Sequence, residues 1–320
     1  AQLGNTGWSY DDVLPYFRRA EANASHADEW HGGEGPLHVE DFQERNPLQE
    51  MYLEAVEDLG VPRNSDFNGA KQEGCGYYQG TLRNGRRCSV ADAYLSPALD
   101  RANLTVVTGA HITRVALEGT KAVGIDYVVG SEAYRALAST ETVLAAGAIG
   151  SPHILLCSGI GPADELEQIG IKPALDVQGI GRNLLDHIAR PRIDLVINEP
   201  EKFGFDTPSR EEAIARFEST RTGPFASLQI DVGAFVRTRQ SDAYPSVQLL
   251  AGLTFAERMR YTTPPGLSLS GYVCRSQSKG TVRLATSSPF DRPVIVPYYF
   301  SDPDDLDRDV ELGVFTMAIV

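Results

Sequence analysis

The residues with the most chemical potential are an adjacent carboxylate and imidazole, Asp186-His187, four cysteines, Cys75, Cys88, Cys157 and Cys274, and the glycine passage Gly147-Ala148-Ile149-Gly150. A carboxylate beside an imidazole can orient a general base. Neighbours on a chain rarely face each other, however, so a structural role for Asp186-His187 is the expected one. The cysteines show neither C-x-x-C spacing nor a clustered histidine, so no tetrahedral zinc site can be read from them, and buried free thiols of a reducing compartment are expected. His26, His31, His38, His111 and His153 never recur at the H-x-x-x-H spacing of a helical metal site, and no G-x-S-x-G elbow offers a hydrolytic serine. No metal is expected.

The glycine passage offers a different chemistry. Small side chains where a strand turns into a helix let a ligand approach both the backbone and the helix N-terminus, as a dinucleotide cofactor requires. Tight packing alone would ask for the same residues. The dinucleotide fingerprint itself is missing: Gly74-x-Gly76 runs on to Gln79, Gly159-x-Gly161 to Asp164, and Gly179-x-Gly181 to Leu184, each without the third glycine of G-x-G-x-x-G.

Composition narrows the partners. The 320 residues carry 29 Lys and Arg against 43 Asp and Glu, a net charge of −14, and 42% of positions are apolar. That length fits about two domains with a sizeable core. The acid excess argues against a nucleic-acid partner, whose phosphates demand clustered Lys and Arg. The most apolar stretch, Val143 to Ile160, is broken by Gly147, Gly150, Pro152 and Gly159 and falls short of the roughly 20 apolar residues of a bilayer span. Ala1 to Tyr10 is polar and lacks the pattern of a signal peptide. A cytoplasmic protein without a transmembrane segment, whether free or membrane-associated, is expected.

The elements that must position these residues alternate between α and β patterns. Ser9 and Asp12 have capping-box spacing, and Asn46, Pro47, the apolar Leu48, Met51, Tyr52, Val56 and Leu59, and Gly60 spell an amphipathic helix with cap and terminator. Strands are predicted over Leu104 to Thr108, Ile112 to Leu117, Val123 to Val129, Thr142 to Ala146 and Pro173 to Val177. Ser151-Pro152 reads as the cap and first residue of a helix ending at Ser158-Gly159, and Asp164 to Ile169 as another. Val232 to Val236, Val247 to Ala251, Leu267 to Arg275 and Gly280 to Leu284 read as an antiparallel sheet. Ser301 or Asp302 caps a helix through Pro303, Leu306, Val310, Val314 and Met317 that is still running at Val320. With a first residue other than Met, this predicts the middle of a longer protein.

Gly147-Ala148-Ile149-Gly150-Ser151-Pro152-His153-Ile154-Leu155-Leu156-Cys157-Ser158-Gly159-Ile160-Gly161 resembles the second signature of the glucose-methanol-choline (GMC) flavoprotein oxidoreductases. Further matches follow in order: Gly7-Trp8, His31-Gly32 with Gly35-Pro36-Leu37, Arg87-x-Ser89 with Ala93-Tyr94-Leu95, Asn103-Leu104-Thr105-Val106, Asn183-Leu184-x-Asp186-His187, and Pro293-x-Ile295 with Tyr298 and Asp305. The resemblance covers nearly the whole chain and is nearest to the choline dehydrogenase-like branch.

The resemblance implies an α/β and α+β architecture: an FAD-binding domain on a parallel sheet, incomplete here, and a substrate domain with an antiparallel sheet flanked by helices. Residues 1–65 would form a helical, lid-like linking segment, 66–189 part of the FAD domain and 190–320 part of the substrate domain. It implies FAD as cofactor, a small alcohol as substrate, hydride transfer to flavin N5, and dioxygen or another electron acceptor. The catalytic residues are expected beyond Val320 and the pyrophosphate loop before Ala1, so none here is assigned to the chemical step. Ala145, Ala146 and Gly147 match the strand end beside the FAD, with Ser151 just behind. Ile112 matches the position whose backbone meets the adenine, or is an ordinary strand residue. Asn183, Asp186 and His187 would support the cofactor region. A non-catalytic nucleotide-binding scaffold, or a flavin-containing hydroxynitrile lyase, would share these features.

Overall fold

The computed structural model describes residues 4–203, 210–226, 230–254 and 266–320. The chain forms two compact units, Ala1–Leu104 with Ala189–Arg275 and Asp307–Val320, and Thr105–Ile188 with Ser276–Leu306. The units interleave along the sequence.

The first unit is built on a five-stranded antiparallel sheet in the spatial order Ala189–Val196, Gly266–Val273, Val247–Thr254, Val232–Val236, Gly74–Tyr77. Alternating apolar residues put Val232, Ala234, Val247, Leu249, Ala251 and Leu269 on one face. Leu48, Tyr52, Leu53 and Val56 of helix Pro47–Asp58, together with Leu312, pack against them. That helix starts where the sequence places it. Leu48 N–H donates to the Asn46 side chain at 2.9 Å, while Asn46 N–H donates to the Gln49 side chain at 2.9 Å, so two otherwise unpaired donors are satisfied reciprocally. A smaller sheet pairs Glu21–Asn23 in parallel with Leu37–Asp41, and the latter antiparallel with Gln79–Gly80.

The second unit holds an antiparallel meander of Ala110–Glu118, Lys121–Val129 and Glu132–Leu137. Asp126 lies between two arginines of the outer strands; the Arg135 guanidinium, against a burial penalty and helped by Arg114, holds its carboxyl down to about 2. Helix Gly147–Cys157 is tied to the meander where Val115 N–H donates to Ser158 Oγ at 2.8 Å. Ile160–Gly161 pairs in parallel with Leu175–Asp176, and Thr281–Arg283 pairs antiparallel with Val294–Val296.

Several sequence expectations need correction. The helix expected from Ser151-Pro152 begins a turn earlier, at Gly147, with Pro152 inside it, because burial of Ile154 and Leu156 fixes the helix and the small residues 147–150 extend it. The segments 104–108 and 142–146 are not strands. Their apolar Val106, Val107 and Val143 stand exposed at 46%, 52% and 75%, since a strand exists only where a neighbouring strand pairs with its backbone, and no described strand pairs with these segments. Residues 281–283 join a separate two-stranded sheet, not the large one. Conversely, Gly74–Tyr77, for which no strand is predicted from the sequence, is an edge strand of the main sheet. Glu132–Leu137, exposed along its length, carries no apolar alternation to betray it.

Leu53 is fully buried between helix and sheet. Leu53→Ala is therefore expected to cost about 2–5 kcal/mol in denaturant unfolding of the chain. A loss below about 1 kcal/mol would show that this helix does not seal the core.

Candidate functional site

The start of helix Gly147–Cys157 is the most ligand-ready feature among the expected site residues. Ala146, at the cap position, supplies no side-chain hydrogen bond to the first turn, so the N–H groups at the positive end of the helix lack the usual internal partner. Gly147 has φ +80°, a left-handed conformation that disfavours any side chain, and an ideal Cβ built on it would meet no atom within 4 Å. Ala145, Ala146 and Gly147 are all exposed. Ser151, expected as the cap, turns back instead: Ala146 N–H donates to its Oγ at 3.1 Å, which pins the residue before the helix. The result is an open, main-chain-lined ledge with a positive dipole, suited to a flat ligand carrying carbonyl or anionic oxygens.

Ile112 lies in the same unit on strand Ala110–Glu118, paired with Tyr127 and half-buried. Its neighbour His111 donates from Nε2 to the Pro289 carbonyl at 2.9 Å and stacks on Phe290 with ring centroids 5.0 Å apart. His153 and Cys157, one helical turn apart, approach to 3.8 Å. Burial pushes the His153 imidazole down, with His111 adding to it, and burial pushes the Cys157 thiol up. The pair is thus neutral and is no thiolate nucleophile. Cys75 and Cys88 are buried, all four thiols are free, and burial raises Cys274 to about 11.

Asn183, Asp186 and His187 are all exposed, and Asn183 adopts a left-handed φ of 57°. The Asp186 carboxylate accepts the His187 main-chain N–H at 2.9 Å on one oxygen and the Tyr299 hydroxyl at 2.5 Å on the other. These bonds tie the 183–187 segment to Tyr299.

What the sequence could not show is a cluster around His31, buried at 3% exposure and reaching Glu21 through Nδ1 and Asp66 through Nε2. Burial disfavours its charge, but the hydrogen bonds to the two carboxylates outweigh that and raise its pKa. Asp66 comes from a loop 35 residues further along the chain, so no local spacing signals the contact.

Pyridoxine 4-oxidase from Mesorbium loti superposes with a TM-score of 0.83 at 27% identity, covering 99% of this chain and 59% of that one. The sequence profile of the GMC oxidoreductases matches residues 1–189, and the chain belongs to that family. It is 35% identical over 315 residues to the mitochondrial choline dehydrogenase of Homo sapiens, covering 95% of this chain and 52% of the relative. It is also 35% identical over 312 residues to the oxygen-dependent choline dehydrogenase of Brucella anthropi, covering 95% of this chain and 56% of the relative. The chain spans about half the length of the curated relatives it matches.

Two outcomes follow for the protein encoded by the complete reading frame. Gly147→Val adds a β-branched side chain at a left-handed position and intrudes on the open ledge, so bound cofactor per folded polypeptide is expected to fall severalfold; full occupancy would make the glycine a matter of turn geometry alone. His187→Ala is expected to leave turnover per bound cofactor within about tenfold, a barrier change of roughly 1.4 kcal/mol. A thousandfold loss at normal occupancy and unchanged melting would instead make His187 catalytic.

Proposed function

We propose that this chain is part of a flavoenzyme that binds FAD and oxidises a small alcohol to an aldehyde or ketone, passing the electrons to dioxygen or another acceptor. The observation that carries this reading is the uncapped, glycine-opened helix N-terminus at residues 145–147, where added Cβ volume meets only open space. Membership of the GMC family and the likeness to choline dehydrogenases support it.

The residues present fit a flavin. The main chain of Ala145, Ala146 and Gly147 would lie along it, the helix dipole would favour its electron-rich oxygens, and Ser151 would hold the turn through Ala146 N–H. Ile112 would offer strand backbone to the adenine end. When bound, FAD supplies the two-electron acceptor for the alcohol carbon. The exposed small side chains of this ledge exclude nothing by themselves, and their part is to position the cofactor without side-chain interference. The Asp186–Tyr299 tie would hold the 183–187 loop as support. No residue of this chain is assigned the proton transfer.

No helix among the described residues is long and apolar enough to cross a membrane. The four free thiols accord with a cytoplasmic, reducing location for the proposed enzyme.

The complete protein, loaded with FAD and mixed anaerobically with choline, pyridoxine or an aryl alcohol, is expected to lose its yellow flavin absorbance with at least one of them. A flavin that stays oxidised with every alcohol, while the protein cleaves a hydroxynitrile, would replace oxidation by lyase chemistry. A protein that binds no flavin would leave only a scaffold.

A further inference from the structure

We propose that His26, Asp28 and Asp66 form a binding site for one divalent transition-metal ion of the zinc class. The site lies in the first unit and clamps the loop between strands Glu21–Asn23 and Leu37–Asp41 to the loop around residues 64–69.

One imidazole nitrogen and two carboxylate oxygens from these residues all lie within 4.8 Å of one another. Around a tetrahedral zinc ion, ligand atoms sit about 3.3 Å apart given bonds of about 2.0 Å. Closing the site therefore needs side-chain rotations that move donors by roughly 1.5 Å or less. The structure leaves freedom for that movement in two donors and removes it from the third. His26 is half-buried, and neither of its ring nitrogens has a hydrogen-bond partner among the described residues. Asp28 is exposed and uses Oδ1 to accept the N–H groups of Trp30 and His31 at 2.8 and 2.9 Å, so its Oδ2 points to no described donor. Asp66 is fixed: the buried His31 holds Oδ2 from Nε2 at 3.1 Å, and Asn68 N–H donates to Oδ1 at 2.9 Å.

The surroundings are built to hold this arrangement. The side chain of Asn23, itself buried, accepts the N–H groups of Ser25 and His26 at 3.0 Å each, which sets the turn that delivers His26. The His26 ring lies against the His31 ring at 5.2 Å between centroids. His31 is anchored from its other side by Glu21, which also accepts Gly32 N–H at 3.1 Å. Ligating carboxylates in metal sites are held in place by outer hydrogen bonds, as His31 holds Asp66. Glu21, Asp28 and Asp66 bring three carboxylates to this small volume, and His31 is the one histidine lodged between two of them. A cation would balance the excess.

The donor set selects the metal. One nitrogen and two oxygens, with room at the exposed side for a water, suit zinc, cobalt or manganese. Calcium takes six to eight oxygens, and magnesium demands octahedral oxygen geometry that three such donors do not supply.

The test uses tag-free, metal-stripped complete protein titrated with zinc in a calorimeter. One equivalent per chain is expected, with melting temperature rising on saturation. His26→Ala and Asp28→Asn, both at a solvent-facing loop, are each expected to weaken binding at least tenfold while the melt of the metal-free protein is unchanged. His111→Ala, whose ring is bonded elsewhere, is expected to bind as wild type. Should either variant fold poorly, a measurement on wild type replaces it: zinc is expected to protect His26, and not His111, from carbethoxylation mapped by mass spectrometry. Absence of saturable zinc binding to the folded protein, binding undiminished in folded His26→Ala, or a His26 that zinc leaves unprotected would each overturn the site. The readout is metal binding alone, so failure of the flavin reading would leave it untouched.

Discussion

The first unit depends on the pairing of strand Gly74–Tyr77 with Val232–Val236. In their antiparallel register Gly76 faces Gly233. A Cβ on Gly233 would lie 2.1 Å from the Leu249 carbonyl oxygen and 2.2 Å from the Tyr78 hydroxyl, and one on Gly76 would lie 2.0 Å from the Asn64 carbonyl oxygen. No side chain can occupy either place without moving backbone. The absence of Cβ at Gly233 lets Tyr78 fold over its own sheet, where its hydroxyl donates to Leu249 O at 3.0 Å and accepts from Gln248 Nε2 at 2.9 Å, and its absence at Gly76 makes room for the Asn64 backbone. Through this one pairing the early part of the chain joins strands that follow it by some 160 residues, and the helix Pro47–Asp58 gains a sheet face on which to bury Leu53 and Val56.

Charge is handled by the same principle of enclosure with a partner. His31 is lodged between Glu21 and Asp66, and Arg308 pairs with Asp242 through both guanidinium nitrogens at 2.9 and 3.0 Å. The Arg308 hydrogen bonds, against burial, hold Asp242 down to about 2. Such pairs add little as isolated attractions, but breaking one leaves a buried charge uncompensated. They fix which loops meet more than they add to net stability. In the His31 cluster that fixing holds Asp66 within reach of His26 and Asp28, the other two proposed metal ligands.

The second unit shows what is left when hydrogen-bonding neighbours are missing. The apolar segments 104–108 and 142–146 have the composition of buried strands, yet neither pairs with a described strand, and the second runs into the exposed ledge at Gly147. The ledge itself keeps its shape from short-range bonds alone, Ser151 holding Ala146 and the helix holding Gly147. As the proposed cofactor platform, this ledge of backbone and small side chains would need no long-range charge network.

Local patterns in the sequence were enough for the helix at 47–58, the first two strands of the meander, the strands near 232, 247 and 267, and the GMC family, because caps, periodicity and a fifteen-residue signature are all read from neighbours along the chain. Composition likewise described an acidic chain without a membrane-spanning helix among the described residues. Only the tertiary structure decided that Gly74-Cys75-Gly76 is a strand, that apolar 104–108 and 142–146 are not, and that Asp186 answers to Tyr299. It alone brought Asp66 to His26, Asp28 and His31. The reason is the same in each case: a strand is defined by the partner that satisfies its backbone, and a polar side chain by the distant group that meets it, and neither partner is encoded within a few residues of the position it completes.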